Sequence, residues 1–137
     1  MSESSHNYPK PHCDADNQPM LEAWRDGRLV LPRCQSCERL FFYPRPLCPH
    51  CWSDRIEWRE VSGRGTVVSF SLVRRPNDPA FIELPIVLAE IRLDEGPSML
   101  SRIVHAPPEA VVIGMLVQVI SPPATKRFPL PTFQPEQ

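Results

Sequence analysis

After Val61 the chain alternates between apolar and polar positions with a period of two, the pattern of half-buried β-strands. Val68, Phe70 and Leu72 alternate with two serines and predict the first strand, and the glycines at its start let it bend sharply. Four more strands are predicted at 86–93, 98–105, 115–121 and 128–133, the last confined to a sheet edge by its prolines. Five short strands with one irregular connection predict an OB-fold barrel, with a small sandwich as the alternative.

A short helix and two cysteine pairs precede these strands. Met20, Leu21 and Trp24 fall at i, i+1 and i+4, and Gly27 follows where helices commonly end, which predicts a two-turn helix over 19–26. Short apolar runs flank each cysteine pair and predict two β-hairpins, while the prolines of this region exclude a helix.

The cysteines Cys34, Cys37, Cys48 and Cys51 form two C-x-x-C pairs separated by ten residues. Two residues between paired cysteines let one tight turn aim both thiolates at one point, so two such turns complete a tetrahedron. Four soft ligands without an open position predict one structural zinc ion, although iron of the rubredoxin type takes the same ligands. Two disulfides or four free thiols are the alternatives. Zinc contributes on the order of 10 kcal/mol in such domains, enough to fold a segment too small to fold alone.

Two histidines near these features are expected to be structural. His50 lies inside the second cysteine pair, where four thiolates already fill the tetrahedron, so we expect it to be an exposed bystander. His105 ends a predicted strand and is expected to be a satisfied structural histidine.

These patterns predict a mainly β fold with a short N-terminal helix, a rubredoxin-like zinc ribbon and a five-stranded OB-fold barrel. Residues 1–18 are polar and aperiodic, so a disordered tail is expected there. Residues 19–60 would hold the helix and the ribbon, and residues 61–137 the barrel with a C-terminal extension.

Composition changes this picture in two respects. The net charge of −1 and a pI near 6.4 give no global basic field for a polyanion, yet thirteen Arg stand against two Lys, and Arg grips phosphate with two parallel hydrogen bonds. No apolar run approaches the ~20 residues that span a bilayer, and no signal peptide is visible. Cysteines at metal spacing suit a reducing compartment, so we expect a cytoplasmic protein without a membrane partner.

The order of motifs resembles a known family. A short Trp-bearing helix leads to a four-cysteine ribbon containing YPRPLCPHC, the strand GRGTVVSFSLV, the turn LDEG, the stretch VIGMLVQV and a C-terminal LPTFQP. Over roughly residues 20–135 this order resembles the zinc-ribbon/OB-fold proteins associated with acyl-CoA enzymes, formerly a domain of unknown function. The resemblance implies an accessory subunit that docks on a thiolase, a thiolase-like aldolase acting on sterol side chains, or a hot-dog hydratase, and helps to hold the acyl-CoA.

On this hypothesis the exposed apolar residues Trp24, Phe41, Phe42 and Trp52 would dock on the partner. The phosphates of CoA would meet some of Arg45, Arg64, Arg74 and Arg75. The competing expectations are that the aromatics pack inside the ribbon and that the arginines are only solvated. No catalytic residue is assigned, because the sequence has no nucleophile elbow and no Gly-rich phosphate loop, and we do not expect an enzyme on its own.

The alternative function is a nucleic-acid-binding module, since ribbons and OB barrels serve that purpose elsewhere. Binding of single strands requires stacking aromatics on the second and third strands of the barrel. Residues 86–104 contain no aromatic residue and only two Arg, which disfavours this alternative.

Overall fold

The computed structural model describes residues 14–74, 86–120 and 131–136. Its helix and strands, in chain order, are α1 Gln18–Arg25, β1 Leu29–Cys34, β2 Ile56–Val61, β3 Arg64–Val73, β4 Ile86–Leu93, β5 Ser98–Ile103, β6 Leu116–Ile120 and β7 Thr132–Pro135. A single 3₁₀ turn, Pro108–Ala110, lies between β5 and β6. The predicted fold class is confirmed: mainly β, with one short helix, a ribbon region and a closed five-stranded barrel. No helix in these ranges is long and apolar enough to span a bilayer.

The barrel closes in the order β3-β4-β5-β7-β6, and all neighbouring pairs are antiparallel except β5 with β7. Its interior follows the predicted alternation most clearly in β4, where Ala89, Ile91 and Leu93 are buried and the residues between them are exposed. Val117 and Phe133 are also fully buried and fill the interior from β6 and β7. One face of each strand therefore supplies a single core.

The first barrel strand departs from simple alternation at a β-bulge. The register of β3 with β4 shifts between Val67 and Ser69, so Val68 is an extra residue without a partner in β4. Val67 takes the buried position, and Phe70 and Leu72 pair with the inward-facing residues of β4 only after the bulge. A bulge changes which residues face inward without changing the apolar pattern of the sequence, so the pattern alone does not reveal it.

The last strand closes the barrel and does not lie at an edge. β7 pairs with β6 on one side and with β5 on the other, so the predicted edge position was wrong. Pro135 is tolerated because it is the final residue of the strand. The first part of the predicted strand, 128–130, lies outside the described residues.

The ribbon is one antiparallel pair of strands rather than two complete hairpins. β1 and β2 pair from Leu29 opposite Val61 to Cys34 opposite Ile56, and both cysteine turns lie at the same end of this pair. Beyond the pair, one isolated bridge joins Arg33 to Leu40. The paired strands β1 and β2 are separated in sequence by the segment that holds the two cysteine turns.

Ribbon, helix and barrel share one hydrophobic core. Met20 and Leu21 of α1 and Leu31 of β1 belong to the same buried cluster as Val67 and Phe133 of the barrel. The helix begins at Gln18, and the buried Asn17 that precedes it donates through Nδ2 to the hydroxyl of Tyr43 at 2.7 Å. Residues 1–13 of the expected tail lie outside the described part of the chain.

Hydrogen bonds at the junction of the ribbon and the barrel support this packing. The backbone N–H of Ser62, between β2 and β3, donates to Oε2 of Glu95 in the β4–β5 turn at 2.8 Å. The N–H of Asp94 in the same turn donates to the carbonyl of Arg64 at 2.9 Å. These two hydrogen bonds fix the β4–β5 turn beside Ser62, where the ribbon joins the barrel.

Candidate metal centre and the adjoining cleft

The two cysteine pairs lie in two turns of the same construction. In the first turn the N–H of Glu38 donates to the carbonyl of Cys34 at 2.8 Å, and in the second the N–H of Trp52 donates to the carbonyl of Cys48 at 2.9 Å. Glu38 and Trp52 both have φ of 67°, the left-handed region. Each C-x-x-C sequence thus folds locally into one tight turn, as its spacing predicts.

Backbone amides point at the buried sulfurs of these turns. The N–H groups of Ser36 and Cys37 donate to Sγ of Cys34 at 3.3 and 3.4 Å, and the N–H of His50 donates to Sγ of Cys48 at 3.3 Å. Such donors stabilise the thiolate over the thiol. The amides of the first turn therefore favour an anionic sulfur at Cys34.

The four sulfurs converge in a geometry that fits a metal ion. All four Sγ atoms of the two pairs lie within 4.8 Å of one another, and none of these cysteines is in a disulfide. Sγ of Cys34 is 3.5 Å from that of Cys51, and Sγ of Cys37 is 3.6 Å from that of Cys48. A tetrahedral zinc site with Zn–S bonds of ~2.3 Å requires sulfurs about 3.8 Å apart. The donor set and its spacing therefore fit a closed four-sulfur site.

The thiols of this cluster differ in acidity. The N–H of Cys37, followed by hydrogen bonds from Cys51 and Ser36, lowers the pKa of Cys34 to about 6 against the opposing effect of burial. The N–H of Ser53 lowers the pKa of Cys51, but the hydrogen bond with Cys34, burial and the other two thiols outweigh it and raise that pKa to about 11. Because the thiolate is the metal-binding form, a bound cation must displace the protons that such thiols retain.

A second, small core surrounds the metal centre. Cys34 and Cys48 are fully buried against Phe41, whose side chain is only 3% exposed, and Ile56 packs on them. The N–H of Phe41 donates to the carbonyl of Pro32 in β1 at 3.1 Å. This core is too small to hold the turns by hydrophobic burial alone, and a metal ion on the four sulfurs would supply the missing stability.

The four aromatic residues predicted to dock on a partner occupy different environments. Trp24 is 7% exposed and its Nε1–H donates to the carbonyl of Ile120 at 3.4 Å, so it joins the helix to the barrel. Phe41 is buried in the metal core, and Phe42 is half-buried against the main core. Trp52 is 77% exposed. Of the four, Trp52 alone offers most of its ring to a partner.

Sequence reasoning missed a second exposed apolar surface, the turn that leads into β6. Val112, Ile113 and Leu116 are each more than half exposed there. Gly114 has φ of 94°, and its N–H donates to the carbonyl of Val67 at 2.8 Å, which ties the turn to β3. The signal was present in the run VIGMLV, which holds more consecutive apolar residues than one face of a strand can bury.

Two of the arginines predicted to meet CoA, Arg64 and Arg74, do not lie together. Arg64 begins β3, with Nε 3.9 Å from Oε2 of Glu136, and the exposed Arg74 follows the end of the same ten-residue strand. At ~3.3 Å per residue these two are about 30 Å apart along the strand. Arg75 lies outside the described residues, and Arg45 lines a cleft beside the ribbon.

This cleft has a volume of about 600 Å³ and lies between the ribbon and the β4–β5 turn. Its ribbon side carries Arg39, Phe42, Arg45 and His50, and its barrel side is formed by residues 95–98. The volume is typical of small-molecule sites in proteins. Sequence reasoning did not place Arg39 or His50 here, because the two sides of the cleft are far apart along the chain.

A ribbon with four convergent thiols, joined through a shared core to a closed five-stranded barrel, defines a zinc-ribbon/OB-fold protein. Two family models match the chain in turn: "ChsH2, rubredoxin-like zinc ribbon domain" over residues 21–57 and "ChsH2, C-terminal OB-fold domain" over residues 58–120. The chain belongs to this family of ChsH2-type DUF35 proteins.

Relatives carry names from acyl-CoA metabolism or from scaffolding. A protein of Thermomonospora curvata named probable enoyl-CoA hydratase alpha subunit is 37% identical over 127 residues, 93% of this chain and 40% of the relative. The chain therefore spans less than half of that relative. A DUF35 domain-containing scaffold protein of Pyrococcus furiosus is 35% identical over 94 residues, 69% of this chain and 68% of the relative. The solved structure titled "Ltp2-ChsH2(DUF35) aldolase" matches with a TM-score of 0.77 and 35% identity, over 92% of this chain and 98% of that one.

Proposed function

We propose that the chain is a non-catalytic accessory subunit of an acyl-CoA enzyme. It binds a thiolase-like, aldolase or hot-dog hydratase subunit and helps to hold the acyl-CoA substrate. The names of its relatives support this kind of role, since they describe a hydratase alpha subunit, a scaffold protein and a component of an aldolase. The four-sulfur centre supports it as well, because a closed site offers no open position for a reacting group.

The exposure of Trp52 is the observation that carries the proposal. A large aromatic ring that is 77% exposed on a ribbon turn leaves apolar area in water, and Trp is enriched among the residues that dominate binding interfaces. The turn that presents it is fixed by the hydrogen bond from the N–H of Trp52 to Cys48. A side chain whose backbone is already fixed loses less conformational entropy when a partner covers it than one on a mobile loop.

Val112, Ile113 and Leu116 provide a second apolar surface for the same purpose. Their turn is also held to the barrel by a backbone hydrogen bond, from Gly114 to Val67. Contiguous apolar side chains that no part of the described chain covers are typical of protein interfaces.

Zinc is the metal we propose for the ribbon, in preference to iron, because its role here is to fix the shape of the docking turns. Zn²⁺ bound by four thiolates supplies structure and leaves redox chemistry aside. The free thiols of the cluster also fit a reducing compartment, and we place the protein in the cytoplasm.

Co-expression with thiolase-like, aldolase and hot-dog hydratase subunits of the same organism tests the proposal. A complex that co-elutes in gel filtration at micromolar concentration is expected, and Trp52→Ala should weaken it by about 2 kcal/mol or more, roughly thirtyfold in Kd. Leu100→Ala is the matched control, since it removes an exposed apolar side chain from the barrel. Absence of a complex with any of these subunits, together with salt-dependent binding of single-stranded oligonucleotides, would favour the nucleic-acid alternative.

A further inference from the structure

The cleft between the ribbon and the β4–β5 turn carries two cationic side chains that form no ion pair with a carboxylate of the described residues. Among the ion pairs of the described residues, none involves Arg39 or Arg45, although both line the cleft. Other ribbon arginines, such as Arg28 and Arg33, are paired with glutamates. Two unpaired guanidinium groups facing one concavity create a local positive potential despite the slightly acidic chain.

The two acidic residues that line the same cleft are engaged elsewhere. Glu38 places its carboxylate 3.7 Å from the guanidinium of Arg33. Glu95 accepts the N–H of Ser62 at 2.8 Å and faces the junction of ribbon and barrel. Neither carboxylate therefore occupies the position that an anionic ligand would take beside the arginines.

Local hydrogen bonds orient both guanidinium groups. A nitrogen of Arg39 lies 3.4 Å from Nδ1 of His50, and because guanidinium has no acceptor, the imidazole nitrogen accepts. Nε of Arg45 donates to the carbonyl of Tyr43 at 3.1 Å, which leaves its terminal nitrogens for a ligand. Planar guanidinium groups held in this way suit the two-pronged recognition of phosphate oxygens.

The remaining wall of the cleft is apolar. Leu40, Phe42 and Pro97 line it next to the arginines. A site with a few oriented cations and an apolar wall matches a ligand that has charged and flat apolar parts, such as a nucleotide.

We infer that this cleft binds the phosphates at the nucleotide end of coenzyme A, with Arg39 and Arg45 as the phosphate-binding residues. The inference rests on the proposed function, which makes coenzyme A the source of the phosphates. It replaces the four arginines suggested by the sequence with one pair in a single concavity, and it assigns His50 the role of positioning Arg39.

Titration of the zinc-loaded full chain with three probes tests this site. Coenzyme A, adenosine 3′,5′-bisphosphate and pantetheine are added to ¹⁵N-labelled protein, alone and in complex with the enzyme subunit, and Kd is measured by calorimetry. We expect the first two to compete and to shift amides of residues 38–50 and 95–98. Pantetheine, which lacks the phosphates, should leave these amides unchanged.

Arginine variants identify the groups that bind. Arg39→Gln and Arg45→Gln should each weaken binding of adenosine 3′,5′-bisphosphate about tenfold, as loss of a hydrogen bond to a charged group does. Arg55→Gln removes the same charge from an exposed ribbon position outside the cleft and should change Kd less than twofold. Circular dichroism of each variant verifies that it is folded.

Three results would overturn the inference: wild-type affinity in both cleft variants, cleft shifts caused by pantetheine, or no nucleotide binding by either the chain or the complex. Complex formation is measured separately on the same variants and should be unaffected by them. A stable complex without nucleotide binding would support the proposed function and contradict the assignment of the cleft as a coenzyme A site. Nucleotide binding through Arg39 and Arg45 without any enzyme partner would support the cleft as a binding site and contradict the proposed function.

Discussion

Close backbone contacts at the start of β3 depend on single glycines. A Cβ on Gly65 would lie 2.6 Å from Cγ2 of Ile91 and 2.7 Å from the carbonyl oxygen of Arg92. One on Gly63, whose φ is 79°, would lie 2.6 Å from Cγ1 of Val119. These two residues let β3 approach both of its neighbours as the barrel closes.

Gly65→Ala should therefore destabilise the barrel. The methyl group meets the backbone of Arg92, which cannot move as a flexible side chain can, and overpacking of this kind costs about 1–3 kcal/mol. Urea unfolding followed by circular dichroism measures the loss. Gly96→Ala is an informative comparison, because its φ of 121° strains an alanine while nothing lies within 4 Å of the added carbon. An unchanged midpoint for Gly65→Ala would contradict the close approach of β3 and β4.

The sequence predicted the convergence of the four cysteines but not the environment of the aromatic residues. Cys34 and Cys37 are close in sequence, so their spacing determines the turn. The indole N–H of the buried Trp24 donates to the carbonyl of Ile120, ninety-six positions along the chain, and no local pattern predicts such a contact. Exposure of Trp52 likewise depends on which face the folded turn presents.

The ribbon is the element whose stability depends most on the metal. β1 and β2 form a two-stranded sheet, and such a sheet is marginal in water without additional support. A metal ion bound by the four cysteines at its end would link the two turns, which the strands alone do not connect.

Removal of the metal should unfold the ribbon. After chelation, or in Cys48→Ser, we expect amide hydrogen-exchange protection across residues 28–60 to fall by at least tenfold, since zinc supplies on the order of 10 kcal/mol in comparable domains. Elemental analysis should give one zinc per wild-type chain. Cys13→Ser, which changes the cysteine outside the two pairs, is the control and should retain both metal and protection. Full protection in a metal-free sample would contradict a structural metal.

Alternation predicted β4 well because Ala89, Ile91 and Leu93 are buried while the residues between them are exposed. It predicted β3 less well, because the bulge at Val68 exchanges the two faces midway. The position of β7 was not predictable, because its pairing with β5 and β6 depends on how the whole barrel closes and not on the local sequence.

The helix, the ribbon and the barrel pack around one shared hydrophobic core. Residues of α1 and β1 lie in the same cluster as the barrel interior, and the side chain of Trp24 reaches β6. The cleft exists only because the ribbon and the barrel are held in this arrangement. Sequence reasoning predicted both parts, but the surface between them arises from long-range packing.

Trp24→Ala should lower the stability of ribbon and barrel together. Truncation of a buried aromatic costs about 3–5 kcal/mol, and a shared core should keep thermal unfolding a single transition at lower Tm. Trp52→Ala is the matched control, because its exposed ring contributes little to folding and stability should change by less than about 0.5 kcal/mol. Two separate calorimetric transitions in the wild-type protein would contradict a shared core.

Closure of the barrel by β7 affects how the chain folds during synthesis. All metal ligands lie between Cys34 and Cys51 and leave the ribosome early, so the ribbon can take up its ion while translation continues. β5 and β6 have no common neighbour until residues 132–135 emerge, and their facing edges stay open until then. A released chain truncated before residue 132 would thus expose two strand edges that can pair with other chains.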